Sequence, residues 1–346
     1  MKSLFRRPIL KIFLVVGIIC LLGGVGMTYY SLFTSHLHPS EDIRLYVDRD
    51  DTVDSVYHQL KTRAGARRLW ILRTLASCTN WEDRLRTGSY RVKASDSYFQ
   101  LFKRLYRGEQ WPVKLTIPET RTWERFARSI GNQLMIDSTE VMHSLMNQEY
   151  REKYGLTKES LYGFFLPQTY EVYWNMSLDA FWERMNKEHQ RFWNEARLQA
   201  ATHMGLTKDE VCTLASIVDE ETNEREEKPI VAGLYMNRLQ KGIPLQADPT
   251  VRFAVGDFSL RRILGEHLII DSPYNTYRHV GLPPGPIRIP SLNGIEAVLN
   301  YAKHDYLYMC AKEDFSGTHS FASTYAEHLE NARRYRQALN QLKIFR

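Results

Sequence analysis

Cysteine is scarce in this chain of 346 residues, and its distribution excludes several classes of protein. The four cysteines are Cys20, Cys78, Cys212 and Cys310, and no two of them form a C-x-x-C pair. This spacing excludes a disulfide-rich scaffold and argues against a zinc ribbon. Two alternatives stay open for the last three cysteines, which either form one disulfide in an oxidising compartment or are three buried thiols.

The common signatures of metal, nucleophile and nucleotide chemistry are also missing. The eleven histidines include no H-E-x-x-H motif, and neither a G-x-S-x-G elbow nor a P-loop occurs. His36 and His38 are expected to be solvated rather than to bind a metal. No internal repeat and no low-complexity linker is visible. We therefore expect no metal and no cofactor.

Positive charge exceeds negative charge by six, but little of this excess lies in the later part of the chain. Residues 1–33 contain four of the 46 basic residues and no acidic residue, which leaves 42 basic and 40 acidic residues in the other 313. A nucleic-acid-binding protein concentrates basic charge on its folded part. We therefore expect no nucleic-acid partner.

No charged residue occurs in the 22 residues of the segment Ile12–Phe33, which is long enough to cross a membrane as a helix. Basic residues precede it and none follows until Arg44, so the positive-inside bias places residues 1–11 in the cytoplasm and the later chain outside. No alanine occurs before Ala64, so the A-x-A site of a cleaved signal peptide is absent. We expect an uncleaved single-pass anchor, and a cleaved signal peptide is the alternative.

The rest of the chain predicts a mixed α+β fold, with a small first part and a larger second part. Alternating apolar residues indicate strands, and apolar residues at i, i+3 and i+4 indicate helices. In the first part, strands are expected at 43–47 and 88–92, with one helix following each strand and the second capped near Ser95. In the second part, the expected elements are a strand at 113–117, a helix from Thr120 or Thr122, mainly helical structure at 131–205, helices at 208–223 and 229–241, a hairpin of 306–311 and 318–322, and a C-terminal amphipathic helix.

One acidic residue extends the apolar face of a predicted helix. Thr207 and Glu210 fit a capping box that starts this helix, and Glu221 lies about 20° from the apolar Leu214 on the helical wheel. Asp219 and Glu220 fall on the side that is expected to face solvent. A carboxyl group against an apolar wall has a raised pKa, as a general acid near neutral pH requires. The alternative is that Glu221 lies on a frayed and solvated last turn, and the local pattern does not choose between them.

Polar and rigid loops follow this helix. Three prolines and two glycines in the seven residues 281–287 make a stiff loop with a defined shape. The neighbouring segments 245–250, 274–277 and 317–321 carry amides, hydroxyls and aromatic rings, which suit sugar binding. The candidate ligand-binding residues are Asn237, Gln246, Asp248, Tyr274, Asn275, Thr276 and His319.

In combination, these segments resemble the YceG-like family, the endolytic murein transglycosylases. The motifs that carry the resemblance are Leu214-Ala-Ser-Ile-Val-Asp-Glu-Glu-Thr222, Asn237-Arg-Leu239, Leu245-Gln-Ala-Asp-Pro-Thr250, Tyr274-Asn-Thr-Tyr277, Gly281-Leu-Pro-Pro-Gly-Pro-Ile287, Tyr306-Leu-Tyr308 and Gly317-x-His-x-Phe321. The resemblance implies a cytoplasmic segment at 1–11, a membrane helix at 12–33, a small LysM-like α/β region at 43–112 and a YceG-like catalytic domain at 113–346.

The resemblance also implies an activity and partners. The family cleaves the β-1,4 bond between N-acetylmuramic acid (MurNAc) and N-acetylglucosamine (GlcNAc) in nascent glycan strands, and leaves 1,6-anhydro-MurNAc ends. It needs no cofactor, acts outside the cytoplasm at the inner membrane, and is expected to meet peptidoglycan glycan strands and peptidoglycan synthases. The family's catalytic glutamate is the second acid of an E-K-E or E-R-E triplet, and that role carries over to Glu221.

This sequence departs from the family pattern at three positions. Glu220 replaces the middle basic residue of the triplet, which adds negative charge beside Glu221 and favours a still higher pKa. Asp219 replaces the first glutamate, so an orienting role there is expected to weaken. Thr120 in Ile117-Pro-Glu-Thr120 replaces a glycine, which puts the geometry of that turn in question.

Two other functions stay open from the sequence. A hydrolytic muramidase uses two carboxyl groups, about 5–9.5 Å apart, and Asp248 is the candidate partner of Glu221. The structural alternative for Asp248 is to cap the turn that begins at Pro249 and Thr250. The other function is a non-catalytic scaffold that binds glycan strands and recruits synthases.

Overall fold

The computed structural model describes residues 6–34, 37, 41–260 and 262–342. Three predicted features lie wholly or partly outside the described residues. They are the predicted cytoplasmic segment 1–11, of which residues 1–5 are not described, the two histidines at 36 and 38, and residues 343–346 of the predicted catalytic domain. The chain folds into two compact units. The first comprises residues 1–115, 133–135 and 171–176, and the second comprises 116–132, 136–170 and 177–346.

The first unit begins with a long apolar helix and continues as a small α/β core. The part of the first helix from Lys11 to Phe33 has a mean hydropathy of 2.3 and is long and apolar enough to cross a membrane. The predicted anchor segment is therefore helical as expected. The elements of this unit are α1 (Arg6–Phe33), β1 (Ile43–Val47), α2 (Val53–Arg63), α3 (Leu69–Thr79), a short 3-10 helix (Glu82–Arg84), β2 (Gly88–Val92) and α4 (Tyr98–Arg107).

The core of the first unit lies between one antiparallel strand pair and its helices. β1 and β2 pair with Leu45 opposite Tyr90, and both side chains are fully buried together with Trp81. Both predicted strands are confirmed. The second predicted helix is capped by Ser97, two residues after the predicted position, and α3 was not predicted because no side chain caps its start.

The second unit is mainly helical, and a buried helix lies in its core. Two short strands that each contain residues of both units, β3 (Val113–Thr116) and β4 (Thr169–Val172), pair with each other. The helices and the last two strands are α5 (Trp123–Gly131), α6 (Ser138–Met146), α7 (Gln148–Lys153), α8 (Leu161–Phe164), α9 (Leu178–Phe192), α10 (Glu195–His203), α11 (Lys208–Glu221), α12 (Lys228–Gln240), α13 (Asp248–Val255), α14 (Gly265–Leu268), α15 (Leu292–Leu299), β5 (Tyr308–Ala311), β6 (His319–Ala322) and α16 (Tyr325–Gln341).

The central helix α11 forms for the reasons visible in the sequence. Thr207 and Glu210 make the predicted capping box, and the helix starts at Lys208. The predicted apolar face is fully buried and packs against α12, α13 and α15. Burial of this face stabilises the unit by about 1.5–3 kcal/mol for each large side chain. The helix ends at Glu221, two residues earlier than predicted, because Thr222 has extended backbone angles.

Other expectations for the second unit are confirmed or corrected. The mixed α+β class and the hairpin are confirmed, and β5 and β6 pair with Ala311 opposite His319. The segment from Asp248 was predicted to be a loop, but it opens α13. Among the cysteines, Cys212 is buried, Cys310 is half-buried and Cys78 is exposed, and all are free. No disulfide joins these three cysteines, and the alternative of three buried thiols holds only for Cys212.

Candidate active site

Glu221 is the last residue of α11, and it lines a cavity of about 340 Å³. The backbone N–H of Thr222 donates to the carbonyl oxygen of Val218, 3.2 Å away, which closes the last turn of the helix. The alternative of a frayed last turn is therefore wrong. The cavity is lined by Glu221, Leu234, Tyr235, Arg238, Leu245, Gln246, Asp248, Tyr277, Tyr308, Met309, Cys310, Ala311, His319, Tyr325 and His328.

A buried tyrosine orients the Glu221 carboxyl group. The hydroxyl of Tyr235, on α12, donates a hydrogen bond of 2.6 Å to Oε1 of Glu221, and Tyr235 is only 2% exposed. Because Oε1 is occupied, Oε2 is the oxygen left to carry a proton into the cavity. Sequence reasoning missed Tyr235. The available signal was a phenol inside the apolar run 231–236, since a buried tyrosine hydroxyl needs a partner.

The environment brings the pKa of Glu221 to about 7. Burial is the largest cause, because it disfavours the charged form. The hydrogen bond from Tyr235 opposes this effect, since it stabilises the carboxylate, and the charge of Asp248 adds to it. His319 lowers the pKa of Glu221 and Glu220 raises it by smaller amounts. A carboxyl group that titrates near neutral pH can both donate and accept a proton.

A second tyrosine–carboxylate pair lines the same cavity. The hydroxyl of Tyr277 donates to Oδ1 of Asp248 at 2.6 Å, and burial together with this bond raises the pKa of Tyr277. Asp248 is the first residue of α13 and makes no side-chain capping bond. The predicted capping role of Asp248 is therefore wrong, and its carboxylate is one wall of the cavity.

His319 is fixed by a buried glutamate. Its Nδ1 lies 2.9 Å from Oε2 of Glu227, and its backbone N–H donates to Oε1 of the same residue at 2.6 Å. Glu227 is 6% exposed. Since a carboxylate only accepts, Nδ1 carries the hydrogen, and Nε2 is the ring nitrogen left for a ligand. His319 is the first residue of β6, and this strand places its imidazole ring at the cavity.

Gln246 is the fourth predicted residue that lines the cavity. Its backbone is in the left-handed region, with φ of 53°, and its Oε1 accepts a hydrogen bond from Arg238. The guanidinium of Arg238 also donates to the carbonyl oxygens of Pro244, Leu245 and Leu307. Arg238 therefore ties the loop before α13 to the segment that leads into β5. Sequence reasoning quoted Arg238 in a motif but gave it no role.

Four other predicted ligand-binding residues are not among those that line the cavity. Asn275 is fully buried and donates to the carbonyl oxygens of Leu268 and Ile270. Thr276 is 2% exposed and accepts from the backbone N–H of Ala247 at 3.0 Å. The amide of Asn275 and the hydroxyl of Thr276 form hydrogen bonds with the loop backbone, so they are not available to bind a ligand.

The other two of these residues also serve the framework. Asn237 donates from Nδ2 to the carbonyl oxygens of His304 and Tyr306. The ring of Tyr274 packs on Phe253, with 4.7 Å between centroids. These four residues therefore hold neighbouring segments of the chain in place and do not line the cavity themselves.

The two acids before Glu221 do not face solvent, and that prediction is wrong. The side chain of Asp219 is 1% exposed and pairs with Lys228 at 2.5 Å, and it also accepts two hydrogen bonds from Ser291. The side chain of Glu220 is 4% exposed and forms ion pairs with two arginines. The helical wheel could not predict this, because the partners come from elsewhere in the chain. They are Arg121 and Arg288 for Glu220, and Lys228 and Ser291 for Asp219.

The replacement of glycine by Thr120 leaves that turn intact. Thr120 is buried, and its carbonyl oxygen accepts a hydrogen bond from the backbone N–H of Ile289. Its φ is not positive, so a side chain causes no backbone strain there.

Across the described ranges, no three His, Cys, Asp or Glu side chains are grouped as metal ligands. The side chains that line the cavity can transfer protons and form hydrogen bonds.

Comparison with known proteins finds relatives that are named endolytic murein transglycosylases. The endolytic murein transglycosylase of Streptococcus pneumoniae serotype 2 is 31% identical over 271 residues, which are 68% of this chain and 48% of the relative. The endolytic murein transglycosylase of Bacillus subtilis is 35% identical over 185 residues, which are 53% of this chain and 50% of the relative. The chain spans about half the length of these curated relatives.

A solved structure and a family model agree with these relatives. The crystal structure of a protein from Listeria monocytogenes described as yceG-like superposes with a TM-score of 0.58 and 26% identity, and the match covers 84% of this chain and 99% of that one. The model of the YceG-like family matches residues 45–334, which is most of the chain. This chain therefore belongs to the YceG-like family.

Proposed function

We propose that this protein is a lytic transglycosylase that cleaves the β-1,4 bond between MurNAc and GlcNAc in nascent murein strands and leaves 1,6-anhydro-MurNAc ends. One observation carries the proposal. Glu221 is a half-buried residue whose carboxyl group has a pKa of about 7 and is held by Tyr235 at the wall of a cavity. The relatives named endolytic murein transglycosylase support the substrate class.

One carboxyl group can perform both proton transfers of this reaction. Protonated Glu221 donates its proton from Oε2 to the glycosidic oxygen, and the bond from that oxygen to C1 of MurNAc breaks. The C6 hydroxyl oxygen of the same MurNAc then bonds to C1, and its proton returns to Glu221. Water does not enter, so the products together have the mass of the substrate and the enzyme ends in its starting protonation state.

The other cavity groups are proposed to bind and stabilise the substrate. Positive charge develops at C1 as the glycosidic bond breaks, and the carboxylate of Asp248 lines the same cavity to offset it. Nε2 of His319 and the amide of Gln246 are proposed to bind sugar hydroxyl or acetamido groups. Asn237, Tyr274, Asn275 and Thr276 are proposed to act through the loops they hold.

Asp248 also favours a second candidate, hydrolysis by a muramidase. Its charge acts on Glu221, and both carboxyl groups line one cavity. In that mechanism Asp248 is the second carboxyl group and water attacks C1. Mass spectrometry of the digest separates the two reactions, because an anhydro end is lighter than a reducing end by one water. Reducing ends in the digest support hydrolysis and contradict the transglycosylase proposal.

The location and domain roles are part of the proposal. We propose that residues 12–33 anchor the chain in the inner membrane and that residues 43–112 are a LysM-like region that binds glycan. Residues 113–346 are the proposed catalytic domain on the extracytoplasmic side, where murein lies. The apolar helix from Lys11 to Phe33 supports the anchor, and peptidoglycan synthases are the proposed protein partners.

A further inference from the structure

A second cavity lies in the same unit as Glu221 and is larger than the first. Its volume is about 710 Å³, within the range of about 300–1,000 Å³ that is usual for ligand sites. It shares no lining residue with the first cavity. The residues that line it include Glu119, Phe192, Arg197, Asn223, Arg225 and Asn293.

One short loop serves both cavities. The loop between α11 and α12 leaves Glu221 at the first cavity, carries Asn223 and Arg225 at the second, and then reaches Glu227, which holds His319. The Cα atoms of residues 221 and 223 are at most about 7 Å apart, since each residue spans at most about 3.6 Å. The backbone positions that contribute to the two cavities are therefore close together at this loop.

The polar side chains of the second cavity fall into two groups. Arg197 pairs with Glu296 at 2.6 Å, Lys228 pairs with Asp219, and the carboxylate of Glu119 pairs with Arg288 at 3.1 Å. The side chains of Asn223, Arg225 and Asn293, all within the described ranges, show no hydrogen bond or ion pair there. The Oδ1 atom of Asn293 is even buried without a partner. Asn223 and Arg225 are exposed, so a cationic group and amides without protein partners line an open, concave site that is able to bind an anionic, hydrogen-bonding ligand.

The site also has an apolar part. Phe192 and Leu292 are half-buried lining residues, and the guanidinium of Arg197 lies 4.2 Å from the centre of the Phe192 ring. Small aliphatic groups fit such a surface, whereas the amides and Arg225 suit peptide bonds and a carboxylate. This combination matches a short acidic peptide better than a bare sugar.

We infer that the second cavity binds the acidic peptide that murein carries on the lactyl group of MurNAc, with Arg225 as the carboxylate-binding residue. The inference rests on the proposed function for the identity of the substrate. It predicts that the enzyme prefers strands that carry peptides over strands from which they have been removed. Arg225 then determines specificity and takes no part in proton transfer.

The test uses the full chain in detergent micelles and two substrates, murein strands with peptides and the same strands after an amidase has removed them. Arg225→Gln is expected to lower kcat/KM about tenfold on peptide-bearing strands, mainly through KM, because a charge-assisted hydrogen bond is lost. On the denuded strands its kcat/KM should equal that of the wild type. Asn223→Ala should show the same selective loss, and Arg336→Gln, an exposed arginine on α16, should show none.

A binding experiment separates this inference from the proposed function. In calorimetric titration with synthetic N-acetyl-alanyl-γ-glutamyl-lysine, wild type should bind and Arg225→Gln should bind at least tenfold more weakly, whether or not the protein cleaves murein. If the wild type cleaves neither substrate but still binds the peptide through Arg225, the proposed function is wrong and the cavity assignment stands. Equal losses on both substrates, or no loss on either, would overturn the inference, as would absence of peptide binding by the wild type.

Discussion

The hydrogen bond from Tyr235 to Glu221 makes a specific prediction about the pH dependence of cleavage. The Tyr235 hydroxyl donates to Oε1 of Glu221 at 2.6 Å and lowers the pKa of that carboxyl group. Tyr235→Phe removes the donor, so the pKa of Glu221 should rise above its value of about 7. The proposed reaction needs protonated Glu221, so kcat/KM should fall as the pH rises through this pKa. The alkaline limb of the profile should therefore move to higher pH in the variant.

The size of this movement follows from the strength of the bond. A hydrogen bond to a charged group contributes about 1.5–3 kcal/mol, and about 1.4 kcal/mol corresponds to one pH unit. Water that enters the space left by the hydroxyl offsets part of the loss, so we expect the limb to move up by about one pH unit. The maximal rate should fall about tenfold, because the carboxyl group loses its fixed orientation.

The assay is the initial rate of cleavage of murein strands between pH 5 and about 9, the range that a carboxyl group of this pKa governs. Tyr277→Phe is the matched control, since it removes an equal hydrogen bond from Asp248 and should leave the limb near its wild-type position. A limb that stays in place in Tyr235→Phe, or moves to lower pH, would refute the role assigned to this hydroxyl. Equal movement in both variants would show that the hydrogen bond at Glu221 is not the cause.

Two further predictions concern stability and topology. Lys228→Ala leaves the buried carboxylate of Asp219 without its cation, so the free energy of unfolding measured with urea in micelles should fall by about 3 kcal/mol, whereas Lys187→Ala on an exposed face should change it little. A loss as small as that of the control would show that the pair is not needed. A reporter enzyme that works only outside the cytoplasm, fused after residue 346, should be active; an inactive reporter on an intact fusion would contradict the proposed orientation.

Local signals in the sequence predicted the central helix and its catalytic candidate. The capping box of Thr207 and Glu210 and the apolar face of α11 depend only on residues of that helix. The same periodicity placed Glu221 at the end of the apolar face, where it lines the cavity. The start of α13 could also have been predicted, because Pro249 lies in its first turn and Gly256 ends it.

The burial of Asp219 and Glu220 could not be predicted in this way. Their partners Ser291 and Arg288 lie 72 and 68 residues away along the chain, and a helical wheel contains no information about them. The hydrogen bond from Tyr235 has the same origin, since it joins two helices. Loop residues with hydrogen-bonding side chains were also ambiguous, because the same amide can bind a ligand or satisfy nearby backbone.

The role of Glu221 is tested most directly by mass spectrometry of murein digests. Glu221→Gln keeps the size of the side chain and its acceptor for Tyr235 but cannot transfer a carboxylic proton, and loss of such a group costs at least about 10²–10⁴-fold. Glu226→Gln, an exposed acid on the adjoining loop, is the matched control. The account predicts 1,6-anhydro-MurNAc ends from the wild type and the control, and no cleavage by a folded Glu221→Gln. Fragments released by Glu221→Gln at a rate near that of the control would contradict it.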